Sequence, residues 1–274
     1  MFRKELVFVS LFFLSVMLFS LYLGLITKEA IRAGEIEPLF PSPDDFRNIL
    51  LVFSLILIGT LTIIFLIKVR LSFVKVFENI AAFFLTTTTF SYFLPVVPSI
   101  ALALFLVILA EIKKSYLLKN IIIFLSISSA SALMGSSLST TLVLILFLFL
   151  SIYDIISVFV TKHMVYMAQN LIERPSTFIS VFPASKLRKV NFKDKTKKIK
   201  VIALGSGDYF LPSTMAVSML DNGILIPILL SILSTVSVFL LFYFASKKNF
   251  GKPLPALPFL FLPALLAYLF SFYL

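Results

Sequence analysis

"LGSGDYFLP", residues 204–212, sets a carboxylate inside a run of residues otherwise suited to lipid. Asp208 is preceded by Gly205, Ser206 and Gly207 and followed by Tyr209. A lone charge near the middle of a bilayer costs roughly 2.5–3.5 kcal/mol on insertion scales, so such a residue has a partner and a task. Finding that partner decides how the chain is read.

The surroundings are those of a membrane protein. The 274 residues are 60% hydrophobic with a mean hydropathy of +1.08, against roughly 45–50% apolar in soluble domains. At about 20 apolar residues per spanning helix, nine spans are expected, near 5–27, 47–67, 73–94, 96–112, 117–137, 139–163, 199–219, 222–246 and 254–273. The fold class is therefore an all-α polytopic membrane protein. Pro95 and Pro98 break the chain between the third and fourth spans, and "MGSSLS" (134–139) makes an equally short turn between the fifth and sixth. The first apolar run is longer than a secretory signal core and is followed by no small-residue cleavage site, so it reads as a retained span. The chain divides into a six-span half (1–163), a connector (164–198) and a three-span half (199–274).

Basic residues orient it. With Arg3 and Lys4 cytoplasmic, all but Lys28, Arg32 and Arg47 fall on the inner side. Those three share the first outer loop with Glu29, Glu35, Glu37, Asp44 and Asp45, so that loop is net acidic. An odd number of spans then puts the C-terminus outside. The net charge of +11 reflects this asymmetry. The run "KLRKVNFKDKTKK" (186–198) reads as a retention signal facing anionic headgroups, and no nucleic-acid partner is expected, since Phe192 is its one aromatic. The preceding "YMAQNLIERPSTFISVFPASK" (166–186) is expected to lie along the membrane face.

Few acids fall in the spans. Glu5, Glu78 and Glu111 lie near cytoplasmic ends, where they can reach water, and Asp221 sits at the outer boundary as a candidate helix cap. Only Asp154, in "LSIYDIISVF" (150–159), matches Asp208 in depth. Counted from the inner boundaries at 1.5 Å per helical residue, both lie roughly 12–14 Å deep. They sit on consecutive antiparallel spans, so each acid is the other's partner. Two carboxylates sharing a low-dielectric site cannot both ionise cheaply, so the pair is expected to hold one proton and to titrate as a unit. One can take a proton from water while the other polarises a carbonyl. Gly205 and Gly207 permit close approach of a helix or an extended peptide. A third element, "GKPLPALPF" (251–259), has prolines at 253, 255 and 258 and leaves a donor-poor backbone at the inner rim. Irregular backbone at membrane depth survives only where protein or a wet cavity surrounds it.

"YD" in the sixth span, "GSGD" in the seventh and "PAL" opening the ninth resemble the presenilin and signal peptide peptidase family, the GxGD intramembrane aspartyl proteases. The resemblance covers nearly the whole chain in motif order, span number and the long sixth-to-seventh connector. In length it looks most like the archaeal presenilin homologues, which implies a multi-pass protein of an archaeal cell membrane. It implies that Asp154 and Asp208 are catalytic, and that Pro255, Ala256 and Leu257 shape the site and contact substrate. Tyr153, Gly205, Ser206 and Gly207 carry over as motif neighbours. Ser206 departs from the Leu of many relatives, which bears on substrate preference. The implied substrates are transmembrane helices that unwind before cleavage. "KKIKVIAL" (197–204) partly alternates polar and apolar and could offer such a substrate a strand edge, although a plain helix start fits as well. Proline at Ile199 or Val201 would separate the two.

Competing chemistries fit less well. The chain has no Cys and one His, His163, and lacks HExxH, so no metal and no organic cofactor are expected. A Ser206–His163 dyad is opposed by the shallower place of His163. The rival from another class is a proton-coupled transporter or ion-leak channel using the same two acids, which would have no need of the "PAL" element. Oligomeric state is not readable from the sequence.

Overall fold

The computed structural model describes residues 2–172, 174–182, 202–247 and 254–272. Among the described residues a helix overlaps each of the nine expected segments: α1 (Phe2–Arg32), α2 (Phe46–Val69), α3 (Leu71–Ser91), α4 (Val96–Lys113), α5 (Tyr116–Ser137), α6 (Thr140–Ile155), α8 (Ser206–Ser218), α9 (Leu225–Lys247) and α10 (Leu257–Phe270). A further short helix, α7 (His163–Ile172), follows α6. Among the described residues six helices are long and apolar enough to cross a membrane, namely α1, α2, α4, α5, α6 with the turn that extends it, and α9. The others differ for visible reasons. Helix α3 carries Lys75, Glu78 and the threonines 86–89, while α8 and α10 are 13 and 14 residues long, α8 preceded by a strand and α10 by non-helical chain.

Helix α8 is the centre of the bundle. Leu211 through Met219 are all buried, as is Tyr209, so even the hydroxyls of Ser213, Thr214 and Ser218 face protein rather than the surroundings. Helices α1, α5, α6, α9 and α10 surround it. Two glycines set the spacing around Val217. A Cβ on Gly24 of α1 would stand 2.7 Å from Val217 Cγ1, and one on Gly135 of α5 would stand 2.6 Å from the Thr214 carbonyl oxygen. Small residues draw membrane helices close, and hydroxyls then bridge them. Ser131 Oγ donates to the Phe210 carbonyl at 3.2 Å, and Thr140 Oγ1 to that of Ser218 at 3.0 Å.

The seventh span departs from the expectation of a helix from residue 199. Ile202–Gly205 is a strand, β2, paired antiparallel with β1 (Ile179–Phe182) in the register Ile179↔Gly205 to Phe182↔Ile202. A β-branched residue and a low-propensity glycine favour extension there, and Ser206 N–H continues the pairing by donating to the Phe178 carbonyl at 2.9 Å. The depth of Asp208 counted in helical rise therefore does not hold, because an extended residue advances about 3.3 Å rather than 1.5 Å. The first half of the connector forms α7 and β1, with Ile179, Ser180 and Val181 buried. The basic run 186–198 and the proline sites Ile199 and Val201 lie outside the described residues.

Two acids also differ. Asp221 is no helix cap but belongs to a tight turn, Met219–Asn222, where it pairs with Lys28 at 2.5 Å and Arg32 at 2.8 Å. Glu78 does not reach water; its side chain is fully buried and bound by Arg174 Nη1 at 2.9 Å and by the Thr177 N–H. Glu5 is buried too, whereas Glu111 remains partly exposed against Lys119 at 2.8 Å.

Candidate active site

Asp154 is buried in the last turn of α6. Immediately after it the helix widens into a π turn, Ile156–Val160, a form that tends to mark functional sites, and Ser157 Oγ donates to the Asp154 carbonyl at 2.9 Å. Asp208 occupies the first turn of α8, two residues past its start. Gly205 caps that helix in an extended conformation, and its N–H donates to Asp208 Oδ2 at 3.1 Å. A carboxylate suits a helix N-terminus because it meets unpaired N–H groups and the positive end of the dipole. Pro212 removes the N–H that would bond back to the Asp208 carbonyl, so this turn is loosened from within.

Helices α6 and α8, which carry the two acids, pack together. The third motif closes on the pair. Pro255, Ala256 and Leu257 are buried, and the Leu257 N–H donates to Asp154 Oδ2 at 3.2 Å. Residues 254–256 are non-helical and α10 begins at Leu257. Each carboxylate thus accepts a backbone N–H where non-helical chain gives way to helix.

The motif glycines divide their work. A Cβ on Gly205 would sit 3.2 Å from Asp208 Oδ2, so glycine here leaves the carboxylate its place. A Cβ on Gly207 would meet nothing within 4 Å, and Gly207 is exposed. Ser206 contributes its N–H to the strand pairing. Tyr153 faces the other way, its hydroxyl 2.9 Å from His163 Nε2, while His163 Nδ1 meets Thr161 Oγ1 at 2.5 Å. With both ring nitrogens engaged by hydroxyls, His163 is a structural clasp across the π turn. Burial holds its imidazole below the usual histidine range.

Several supporting residues escaped sequence reasoning. Ser180 of β1 donates from Oγ to the Leu204 carbonyl at 3.1 Å and lies 2.6 Å from the Tyr209 hydroxyl, tying the strand to α8. Asn120, in the first turns of α5, donates to the Val181 carbonyl at 3.2 Å and accepts the Val181 N–H at 3.4 Å. Val181 therefore points away from β2. In antiparallel register its partner Ala203 then points away from β1, leaving an outward edge on β2 beside Asp208. An asparagine inside a helical apolar run was the available signal.

The family model for "Signal-peptide peptidase, presenilin aspartyl protease" matches residues 12–274. Two solved structures share the fold. "Structure of a presenilin family intramembrane aspartate protease in C222 space group" aligns with a TM-score of 0.67 and 21% identity, covering 98% of this chain and 99% of that one. "Structure of a presenilin family intramembrane aspartate protease in P2 space group" gives 0.64 and 21%, covering 95% and 96%. No curated protein matches the sequence. With its apolar helices and a match spanning nearly its whole length, the chain is a multi-pass integral membrane protein of the signal-peptide peptidase and presenilin family of intramembrane aspartyl proteases.

Proposed function

We propose that Asp154 and Asp208 are the catalytic pair with which this chain hydrolyses peptide bonds within or beside transmembrane helices of other membrane proteins. The observation that carries the reading is the convergence of three motifs. The two acids come from adjacent packed helices, and each is held by a backbone N–H, from Leu257 and from Gly205. In the working state one carboxyl holds a proton and the other is ionised. The ionised Asp takes a proton from water as the water oxygen attacks the scissile carbonyl carbon. The protonated Asp gives its proton to the carbonyl oxygen, so a neutral tetrahedral intermediate forms with no acyl-enzyme. Its collapse breaks the C–N bond, with a carboxyl group supplying the proton to the leaving amine.

Ala256 and Leu257 bound the site on one side, and the open face of Gly207 leaves room for a peptide backbone on the other. The outward edge of β2 at Ala203 fits an unwound substrate strand, which would gain main-chain hydrogen bonds there. Incubation of the purified protein with a model transmembrane peptide tests the assignment. Products should appear with the unaltered chain and vanish in Asp154→Ala and in Asp208→Ala. Undiminished cutting by either variant would refute it.

A further inference from the structure

Glu78 lies on α3, a helix that supplies no residue to the acid pair, yet it is among the most completely enclosed polar groups in the protein. One carboxylate oxygen takes Arg174 Nη1 at 2.9 Å; the other takes the Thr177 N–H and faces Lys119 Nζ at 4.0 Å. Lys119, itself buried, is shared with Asn79 Oδ1 at 2.9 Å and Glu111 at 2.8 Å. The cluster of two acids and two bases is neutral. Among the described residues, Arg174 Nε and Nη2 are buried without a hydrogen-bond partner, and Glu78 is the acid that holds Arg174. Arg174 and Thr177 belong to the connector, one short step before β1. The Phe178 carbonyl, next along, accepts the Ser206 N–H at 2.9 Å. From Ser206 the path runs through the helix cap to Gly205 and Asp208.

We propose that Glu78 is a positioning residue for the Asp208 side of the site. By clamping the connector at Arg174 and Thr177 it fixes where β1 lies. The placement of β1 sets β2, the Gly205 N–H and the carboxylate that N–H holds. The alternative is that the cluster merely neutralises charge between α3, α4 and α5. That explains Lys119 with Glu111 but not the Thr177 N–H, which brings no charge. The proposal rests on Asp208 acting in catalysis.

The chain has no cysteine, so strand pairing can be read directly. Phe182→Cys with Ile202→Cys joins directly opposed residues of β1 and β2, whose Cα spacing of about 5.5 Å suits a disulfide. With Glu78 intact, oxidation should close this bridge readily. With Glu78→Gln, closure should slow at least several-fold, and kcat on a transmembrane peptide should fall on the order of tenfold to hundredfold, the scale of misplacing a reacting group by about 1 Å. Oxidised Glu78→Gln protein should regain activity relative to its reduced form, because the disulfide replaces the clamp. If Glu78→Gln does not yield folded protein, Arg174→Met carries the same measurements. Bridge closure at the unaltered rate in both variants overturns the proposal, as does slowed closure with unchanged kcat. Bridge closure can also be followed in Asp208→Ala protein. If that variant still cleaves, the catalytic reading fails while the strand measurement still judges Glu78.

Discussion

Replacing Gly135 by alanine should separate the helix that carries Asp208 from its neighbour. The new Cβ would stand 2.6 Å from the Thr214 carbonyl oxygen, 2.7 Å from Val217 Cβ and 2.9 Å from Val217 Cγ1. The first of these is backbone in the middle of α8 and cannot rotate away. To restore ordinary contact near 3.4 Å, α5 and α8 must part by about 0.8 Å. Overpacking of this kind costs about 1–3 kcal/mol, which lowers the unfolding midpoint by a few degrees or more. Thermal unfolding of the detergent-purified protein measures it, alongside peptide cleavage by the same preparation. Adding Val217→Ala removes the Cγ1 contact and also frees the pocket at Gly24, but leaves the Thr214 carbonyl and the Cβ in place. The double variant should therefore recover only part of the loss. A Gly135→Ala protein with an unchanged midpoint would refute the close approach of α5 and α8.

Other outcomes follow from the same geometry. Gly205→Ala crowds Asp208 Oδ2 without backbone strain, and weakening one hydrogen bond by about 1 kcal/mol should lower cleavage about fivefold, measured as kcat at saturating peptide. Ala203→Pro deletes an N–H on the outward edge of β2 and spares the bonds of Ile202 and Leu204 to β1; cleavage should fall while the unfolding midpoint holds. Asn120→Leu strands the buried N–H and carbonyl of Val181 and should destabilise the protein by about 1–3 kcal/mol, seen in thermal unfolding. The pH–rate profile should be bell-shaped and report the acid pair as a unit. At low pH both carboxyls are protonated and no base remains; at high pH both are ionised and no acid remains. A profile with a single limb would contradict shared catalysis.

How much could be read beforehand depended on whether the signal was local. Hydropathy located the long helices because burial in lipid demands an apolar run, and Asp154 and Asp208 stood out because few acids interrupt such runs, even though the helical count of depth fails for Asp208. The strand at Ile202–Gly205 was ambiguous because four residues of mixed character favour neither state until a partner exists. That partner, Ile179–Phe182, lies at least 20 residues earlier in a stretch whose polar and apolar residues are mixed. The position of Glu78 near a helix end predicts a water-facing residue. Only the folded connector, returning Arg174 and Thr177 to it, encloses the carboxylate. The placement of Asn120 against Val181 was hidden for the same reason, since a helix residue that completes a strand edge has no signature in spacing.

The non-helical stretches beside the two acids also bear on where a substrate is cut. In hydrocarbon, a peptide that gives up its own helical hydrogen bonds has nowhere to turn, which is why spanning segments stay coiled. Here α8 and α10 each begin partway along their segments, so uncoiled main chain from the enzyme gathers at the acid pair. A foreign helix arriving there meets a small polar harbour within the oily layer, and fraying inside it carries less penalty than anywhere else along its length. The scissile bond would then be chosen as much by where a visitor can come undone as by which side chains it bears.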